Sequence, residues 1–276
     1  VLKRCQKVPA WALLSLAMNG LLFFTVLVLM GRSTPQGQIP PSNAFASEER
    51  TAEAKEPQLG QRHYLEYQQW VDLLRQEAQA IANGNPPHQT VLLGDSLSLW
   101  FPPRLLPGHK TWINQAISGE NSGGLLKRLD LLDQTNPETI FLMIGINDLI
   151  WGTPDGELLA NVEAIVSYLR RIHPEARLVV QSILPHGGTA ATWEGRERLL
   201  ALPTERIQAV NAEIKTIATE QGAFYLDLFP LFINGDGYLR GDLTTDGLHL
   251  NDQGYLVWRS AIALINETDS VELRTP

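Results

Sequence analysis

The feature that most constrains the fold is an alternation of short apolar segments with longer amphipathic ones between residues 90 and 265. Thr139–Ile144 is apolar almost throughout, as is typical of a strand buried on both faces of a parallel sheet. Glu157–Ile172 carries apolar residues in steps of three and four, which predicts a helix with one buried face. Because strands that alternate with helices form parallel sheets covered on both faces, the sequence predicts a doubly wound α/β fold.

Five strands and five main helices can be placed along the chain. The strands are expected at Thr90–Leu93, Thr111–Ile117, Thr139–Ile144, Arg177–Ile183 and Ala223–Phe229. The helices are expected at Gln61–Ala82, Gly123–Asp133, Glu157–Ile172, Thr204–Glu220 and Asn251–Ile265. The first helix has one expected inward face, made of Tyr64, Tyr67, Val71, Leu74, Ala78 and Ile81.

The N-terminal segment, residues 1–32, differs from the rest. Val8–Gly31 is an uncharged run of 24 residues, and as a helix it would be about 36 Å long, enough to cross a hydrocarbon core of about 30 Å. Lys3, Arg4 and Lys7 precede it. By the positive-inside rule, we expect a single-pass membrane anchor at about 8–31, with its N-terminus inside and the rest of the chain outside the cytoplasm.

The alternative for this segment is a cleaved signal peptide. Ala44-Phe45-Ala46 has the small-x-small form of a cleavage site, and cleavage there would leave a chain that starts at Ser47. The apolar run is longer than the roughly 7–15 residues of a signal-peptide core, which favours an uncleaved anchor. Residues 33–57 are expected to be a flexible linker, because nothing in them could build a core. Residues 58–276 then form one domain.

Charge excludes one class of partner. The net charge is −8, but residues 1–32 hold four basic residues and no acid, so the rest of the chain carries −12. An acidic body argues against nucleic acid, because phosphate contacts need Lys and Arg. Cys5 is the only cysteine, so no internal disulfide can form. The six histidines show no metal-ligand spacing, and no metal or cofactor is expected.

Four short motifs stand out, and each is expected just after a predicted strand. They are Gly94–Leu97, Asn114–Gly119, Gly145–Asp148 and Asp246–His249. Ligands bind outside the carboxyl ends of the strands in such sheets, so we expect these motifs to meet in one site. Each motif alone is weak, since Gly-Asp is common in turns and an Asp can simply cap a helix. Their joint occurrence is much more specific.

The residue types in these motifs suit acyl transfer. Ser96 is the expected nucleophile, and His249 is the expected base that takes its proton. Asp246, three residues earlier, can fix the tautomer of His249. The backbone N–H groups of Ser96 and Gly119 and the amide of Asn147 are expected to form an oxyanion hole.

These residues and motifs resemble the GDSL or SGNH hydrolases, a family named for a Ser, Gly, Asn and His in four blocks. Ser96, Gly119, Asn147 and the pair Asp246 and His249 match the four blocks in order. The resemblance covers about residues 90–265. It implies a flavodoxin-like sheet of five parallel strands and ester or thioester hydrolysis without a metal. A small departure is Ala116, where relatives often have Gly.

Three tryptophans are candidates for a substrate pocket. Trp100 and Trp151 follow the first and third motifs closely, and each could equally be a core residue. Trp193 lies in Pro185–Pro203, a long segment expected to be a loop, and long loops over α/β sheets often shape binding sites.

The expected function is therefore that of a membrane-anchored serine esterase or lipase that acts on small or lipid-like esters, on the periplasmic or outer face. An alternative within the same chemistry is an O-acyltransferase or O-acetylesterase that acts on an envelope polysaccharide. An alternative from another class is a non-catalytic binding module on a hydrolase fold, because fold alone does not fix function.

Overall fold

The computed structural model describes residues 65–272, and five strands within them form one sheet. All neighbouring pairs are parallel, in the order β2-β1-β3-β4-β5. The strands are β1 Gln89–Gly94, β2 Thr111–Asn114, β3 Thr139–Met143, β4 Arg177–Gln181 and β5 Phe224–Leu226. The predicted α/β class with five parallel strands is confirmed, and the strand order is the flavodoxin-like one.

Helices connect the strands and cover both faces of the sheet. They are α1 Tyr67–Gly84, α2 Ser96–Leu99, α3 Ser122–Leu126, α4 Ile146–Trp151, α5 Asp155–Ile172, α6 Arg196–Leu200, α7 Thr204–Glu220, α8 Phe229–Phe232 and α9 Asp252–Glu272. Short 3₁₀ turns lie at Pro103–Leu105, Leu129–Leu132, Gly188–Ala190 and Gly241–Leu243. None of the helices within residues 65–272 is both long and apolar enough to cross a bilayer. The predicted anchor at 8–31 and linker at 33–57 lie outside the described residues.

The core has one layer on each face of the sheet, because successive strand residues point to opposite sides. Val91 and Leu93 of β1 pack with the buried faces of α5 and α7. Leu92, between them, packs in the opposite layer with Phe141 and with the fully buried Trp258 of α9. Helices thus cover both faces of the sheet, and the four motifs lie at the carboxyl ends of its strands or in the loops beside them.

Four predicted strands are longer than those observed, and the second and fifth run furthest past their observed C-terminal ends, each for a local reason. The predicted second strand ended at Ile117, but β2 ends at Asn114, where the side-chain amide donates to the Ser98 carbonyl (2.8 Å) and its oxygen accepts from the Ala116 N–H (3.1 Å). The predicted fifth strand ended at Phe229, but β5 ends at Leu226. Beyond it, the Ser182 hydroxyl oxygen accepts the N–H groups of Leu228 and Phe229, both at 2.9 Å, and the chain bends into α8.

Three further predictions need correction. The helix expected at Gly123–Asp133 is split into α3 and a 3₁₀ turn. The loop expected at Pro185–Pro203 contains α6 and another 3₁₀ turn. On α1, Trp70 is buried, whereas Tyr67, expected to point inward, is 47% exposed. The Tyr67 ring lies at the start of the helix, where its hydroxyl donates to the Glu120 carboxylate instead of entering the core.

The turn from β1 into α2 depends on a close backbone contact. Gly94 has φ +152°, and a Cβ at this position would lie 2.2 Å from the backbone oxygen of Met143 on β3. That oxygen belongs to the sheet and cannot move aside, so only glycine fits. The residue that follows the turn is therefore delivered to the sheet edge between β1 and β3.

Replacing Gly94 by alanine is expected to lower the free energy of unfolding by at least about 3 kcal/mol, from backbone strain and the clash with the Met143 carbonyl. Urea unfolding of the purified chain measures this. Gly156→Ala is the matched control: a Cβ there meets no atom within 4 Å in α5, so it should raise stability by up to about 1 kcal/mol. Equal midpoints for the two variants would contradict the proposed packing constraint.

Candidate active site

Ser96 is the first residue of α2, directly after the Gly94 turn. Asp95 caps this helix, because its Oδ1 accepts from the Leu97 N–H at 3.0 Å. The N–H of Ser96 has no partner within its helix, since the first N–H groups of any helix are left over. The Ser96 side chain is largely buried but lines a cavity. The turn thus presents both a hydroxyl and a backbone donor at the carboxyl end of β1.

His249 and Asp246 lie beside Ser96 although they follow it by about 150 residues. The Nε2 atom of His249 is 3.1 Å from the Ser96 Oγ, and its Nδ1 atom is 2.8 Å from the Asp246 Oδ2. The second carboxylate oxygen of Asp246 accepts the backbone N–H groups of Leu248 and His249 at 2.9 and 2.8 Å. The three predicted side chains therefore form one continuous hydrogen-bonded chain.

The charge of Asp246 decides which nitrogen of His249 carries the proton. Burial alone would raise the pKa of Asp246, but the hydrogen bonds from His249 and Leu248 outweigh it and hold the pKa below its ordinary value. An ionised carboxylate can only accept, so the Nδ1 of His249 must be the donor. Its Nε2 is then left as the acceptor for the Ser96 hydroxyl.

Packing also fixes the His249 ring. The indole of Trp100 lies against the imidazole, with ring centroids 4.3 Å apart and planes inclined at 41°. Trp100 also lines the cavity in front of Ser96. The sequence predicted Trp100 as a pocket residue, but its contact with His249 carried no sequence signal.

The segment 185–203 is tied to the turn that carries Asp246. The N–H groups of Thr192 and Trp193 both donate to the Asp246 carbonyl, at 2.8 and 2.9 Å. The Gly187 N–H donates to the Gly247 carbonyl at 2.7 Å. These backbone bonds fix the position of the Asp246 turn, which the sequence alone did not indicate.

The predicted oxyanion donors lie on two loops that bind each other. Gly119 has φ +76°, a conformation that suits glycine, in the loop between β2 and α3. Asn147 is on α4, and its side-chain amide donates to the Glu120 carbonyl at 3.0 Å. Asp148 accepts both the N–H and the hydroxyl of Ser122, at 2.8 and 2.6 Å. The Gly119 loop is thus attached to the end of β3.

One cavity of about 540 Å³ brings together all the predicted site residues. It is lined by Ser96, Gly119, Asn147, Asp246, His249 and the three tryptophans Trp100, Trp151 and Trp193. Six further residues line it, all within the four motifs or the segment 185–203, although no sequence signal marked them individually: Leu97, Ser118, Ile146, Thr192, Glu194 and Leu248. Another cavity, of about 390 Å³, lies between α1 and the Leu129–Leu132 turn, and no predicted site residue lines it.

Trp151 lies at the rim of the site cavity. Its side chain is 59% exposed, and the guanidinium of Arg198, on α6, is stacked 4.0 Å from its ring centroid. A cation held over the face of an indole stabilises the ring position. The rim therefore has a fixed aromatic wall. Within residues 65–272, no group of three or more His, Cys, Asp or Glu side chains could hold a metal ion.

Comparison with known proteins identifies the family of the chain. The model of the GDSL-like Lipase/Acylhydrolase family matches residues 81–257. Platelet-activating factor acetylhydrolase IB subunit alpha1 of Homo sapiens is 27% identical over 176 residues, which are 60% of this chain and 70% of that protein. An arylesterase of Vibrio mimicus is 34% identical over 95 residues, which are 29% of this chain and 48% of that protein.

A solved structure from Streptococcus pneumonia, described as a platelet activating factor, superposes with a TM-score of 0.63 at 26% identity. It covers 70% of this chain and 91% of its own. The five-stranded parallel sheet and the four motifs at its edge are those of the hydrolase class that the sequence resembles. The chain belongs to the GDSL-like lipase/acylhydrolase family, and it is a hydrolase.

Asp95 gives a pH-dependent prediction. Burial, together with the charges of Glu120 and Asp148, raises the pKa of Asp95 to about 7 against the lowering effect of the hydrogen bond from Leu97. Between about pH 4 and pH 7 the folded chain therefore holds a proton on Asp95 that the unfolded chain has lost. This group makes the folded state less stable as the pH rises through that range.

Asp95→Asn removes this titration and keeps the acceptor for the Leu97 N–H. The quantity to follow is the free energy of unfolding of Asp95→Asn minus that of the natural chain. This difference is expected to rise by up to about 1.4 kcal/mol per pH unit between about pH 4 and pH 7, and to stay constant above pH 7. Urea unfolding at several pH values measures the difference. A difference that is constant with pH would contradict the assignment.

Proposed function

We propose that this chain hydrolyses carboxylic esters through an acyl-enzyme on Ser96. The observation that carries the proposal is the continuous set of hydrogen bonds from Ser96 to His249 and from His249 to Asp246, which opens into a cavity. This is the arrangement by which a base activates a serine hydroxyl and a third group orients the base. A non-catalytic binding module would need no such arrangement.

In the first half of the reaction, the Ser96 Oγ attacks the ester carbonyl carbon while its proton passes to the Nε2 of His249. The imidazolium that forms is stabilised by the Asp246 carboxylate on the opposite side of the ring. The tetrahedral intermediate then collapses, and the bond to the alcohol oxygen breaks. The alcohol leaves with the proton from Nε2, and the acyl group stays on Ser96.

The oxyanion of the intermediate needs donors already in place. The N–H groups of Ser96 and Gly119 and the side-chain amide of Asn147 line the same cavity and serve as these donors. An amide has two N–H bonds, and in Asn147 one of them is bound to the Glu120 carbonyl. The second N–H is then free to donate to the oxyanion.

In the second half, a water molecule attacks the acyl carbon and gives a proton to Nε2, and Ser96 leaves with that proton as the acid is released. Acyl transfer to another acceptor would require a site that keeps water out. Here the rim of the cavity is open, as the exposure of Trp151 shows. The open rim favours hydrolysis over transfer to an envelope polysaccharide.

The cavity also indicates the kind of ester. Trp100, Trp151, Trp193, Ile146 and Leu248 give it an apolar wall next to Ser96. Such a wall suits the acyl chain or an apolar alcohol of a small or lipid-like ester. The names of the relatives, an acetylhydrolase and an arylesterase, support an ester substrate.

We also propose that residues 8–31 anchor the chain in the membrane, so that the hydrolase domain acts outside the cytoplasm. The support is the length of the uncharged run and the basic residues before it. An anchored enzyme is held near substrates in or on the envelope.

Ser96→Ala is expected to reduce hydrolysis of p-nitrophenyl acetate and octanoate by about 10³-fold or more, because no nucleophile remains. The same substitution should abolish labelling by a fluorophosphonate probe. Ser98→Ala is the matched control, since Ser98 lies in the same helix, is fully buried and does not line the cavity. A folded natural chain that neither hydrolyses these esters nor reacts with the probe would overturn the proposal.

The anchor is tested by N-terminal sequencing and membrane fractionation of the protein expressed with its full N-terminus. We expect the protein in the membrane fraction, resistant to extraction by carbonate, with residues 8–31 retained. A mature chain that starts at Ser47 would show that the segment is a cleaved signal peptide.

A further inference from the structure

The strongest unexplained feature near the site is a buried ion pair between Glu120 and Arg128. Both side chains are at most 4% exposed. The Nε of Arg128 donates to the Glu120 Oε1 at 2.7 Å, and its Nη2 donates to the Oε2. Arg128 is the only Lys or Arg that is buried within residues 65–272. Removing two charges from water is costly, and such a pair adds little to stability compared with apolar side chains of similar size.

The position of the pair suggests what it does. Glu120 directly follows Gly119, a proposed oxyanion donor, and its carbonyl accepts from the Asn147 amide, another one. The Glu120 N–H donates to the Ile117 carbonyl at 3.3 Å. Glu120 is therefore held at three points: its N–H, its carbonyl and its carboxylate. Of these, the bond to Arg128 is the strongest type, a two-pronged pair between charged groups.

We propose that the Glu120–Arg128 pair positions the oxyanion hole, by fixing the Glu120 backbone that sets the orientation of the Asn147 amide and the place of Gly119. Neither Glu120 nor Arg128 lines the cavity, so both act through other residues and do not touch the substrate. Tyr67 adds a third contact, since its hydroxyl donates to the Glu120 Oε1 at 3.1 Å. This inference rests on the proposed esterase function.

Electrostatics point to the same role for Arg128. Asp95, Glu120 and Asp148 are three buried carboxyl groups, and the charges of Glu120 and Asp148 contribute to the raised pKa of Asp95. Negative charge develops on the oxyanion in the same region during the reaction. Because Arg128 neutralises the charge of Glu120, the Glu120 carboxylate can fix the backbone beside Gly119 without repelling the oxyanion.

The test measures kcat and KM for p-nitrophenyl acetate in Glu120→Gln, in Arg128→Met and in the variant with both changes. A donor misplaced by about 1 Å can cost about 100-fold, so we expect kcat to fall about 10- to 100-fold in all three, with KM within about twofold. The pH midpoint of kcat should stay unchanged, because the bonds between Ser96, His249 and Asp246 are untouched.

The variant with both changes separates positioning from mere stability. It leaves no unpaired buried charge, so its stability should recover relative to either single variant. If the pair only stabilises the fold, kcat must recover with the stability, and a kcat within twofold of the natural chain would overturn the proposal. Leu169→Ala is the matched control: it removes buried core atoms from α5 away from the cavity, so it should lower stability but keep kcat.

Arg128→Lys keeps the test decisive if the other variants fail to fold. Lysine keeps the charge but has no planar two-pronged group, so we expect a folded protein with kcat about 3- to 10-fold below that of the natural chain. An unchanged kcat in this variant would overturn the proposal. Failure of the esterase function itself is distinguishable, because then the natural chain would already show no turnover and no reaction with a fluorophosphonate.

Discussion

The parallel pairing of β1 with β3 is the constraint on which the site depends. Gly94 and Met143 are register partners at the end of this pair, and the absence of a side chain on Gly94 allows the backbones to approach. In the strand order β2-β1-β3-β4-β5, the connections after β1 and after β3 run in opposite directions along the sheet. The loops that follow these two strands therefore separate and leave a crevice between them. Ser96 follows one strand and Asn147 follows the other. The sheet topology alone therefore places the proposed nucleophile next to a proposed oxyanion donor, whatever rotamers their side chains adopt.

The four acidic residues around this crevice are each stabilised in a different way. Asp246 accepts three hydrogen bonds and stays ionised, so that it can accept the Nδ1 proton of His249. Asp148 accepts two hydrogen bonds from Ser122, and Glu120 faces Arg128. Burial raises the pKa of Glu120 and of Asp148 despite these hydrogen bonds, and it raises the pKa of Asp95, which has only the Leu97 N–H on one oxygen, to about 7. A carboxyl group therefore has a different role at each position, according to its partners: Asp246 orients His249, Asp148 holds the Ser122 loop, Glu120 pairs with Arg128 and Asp95 caps α2.

The segment 185–203 combines two functions that would otherwise need separate elements. Its backbone N–H groups hold the Asp246 turn, and its side chains, with Trp193 and Glu194, form part of the cavity wall. The neutral ring of His186 anchors this segment from within, since its Nε2 is 2.7 Å from the Leu202 carbonyl and burial lowers its pKa. A change in this segment is therefore expected to alter both the substrate wall and the alignment of the base.

The sequence by itself determined the fold class, the family and the residues of the candidate site. Strands buried on both faces, such as β1 and β3, leave a signal in their apolar composition, and the spacing of Asp246 and His249 is short enough for one turn to join them. Tertiary structure alone decided the ends of β2 and β5, the exposure of Tyr67 and the pairing of Glu120 with Arg128. These features depend on hydrogen bonds to residues that are distant along the chain, such as Ser98 at the end of β2 and Ser182 at the end of β5. A pattern of apolar and polar residues records which side of an element is buried, but it does not record which distant partner a polar atom will meet.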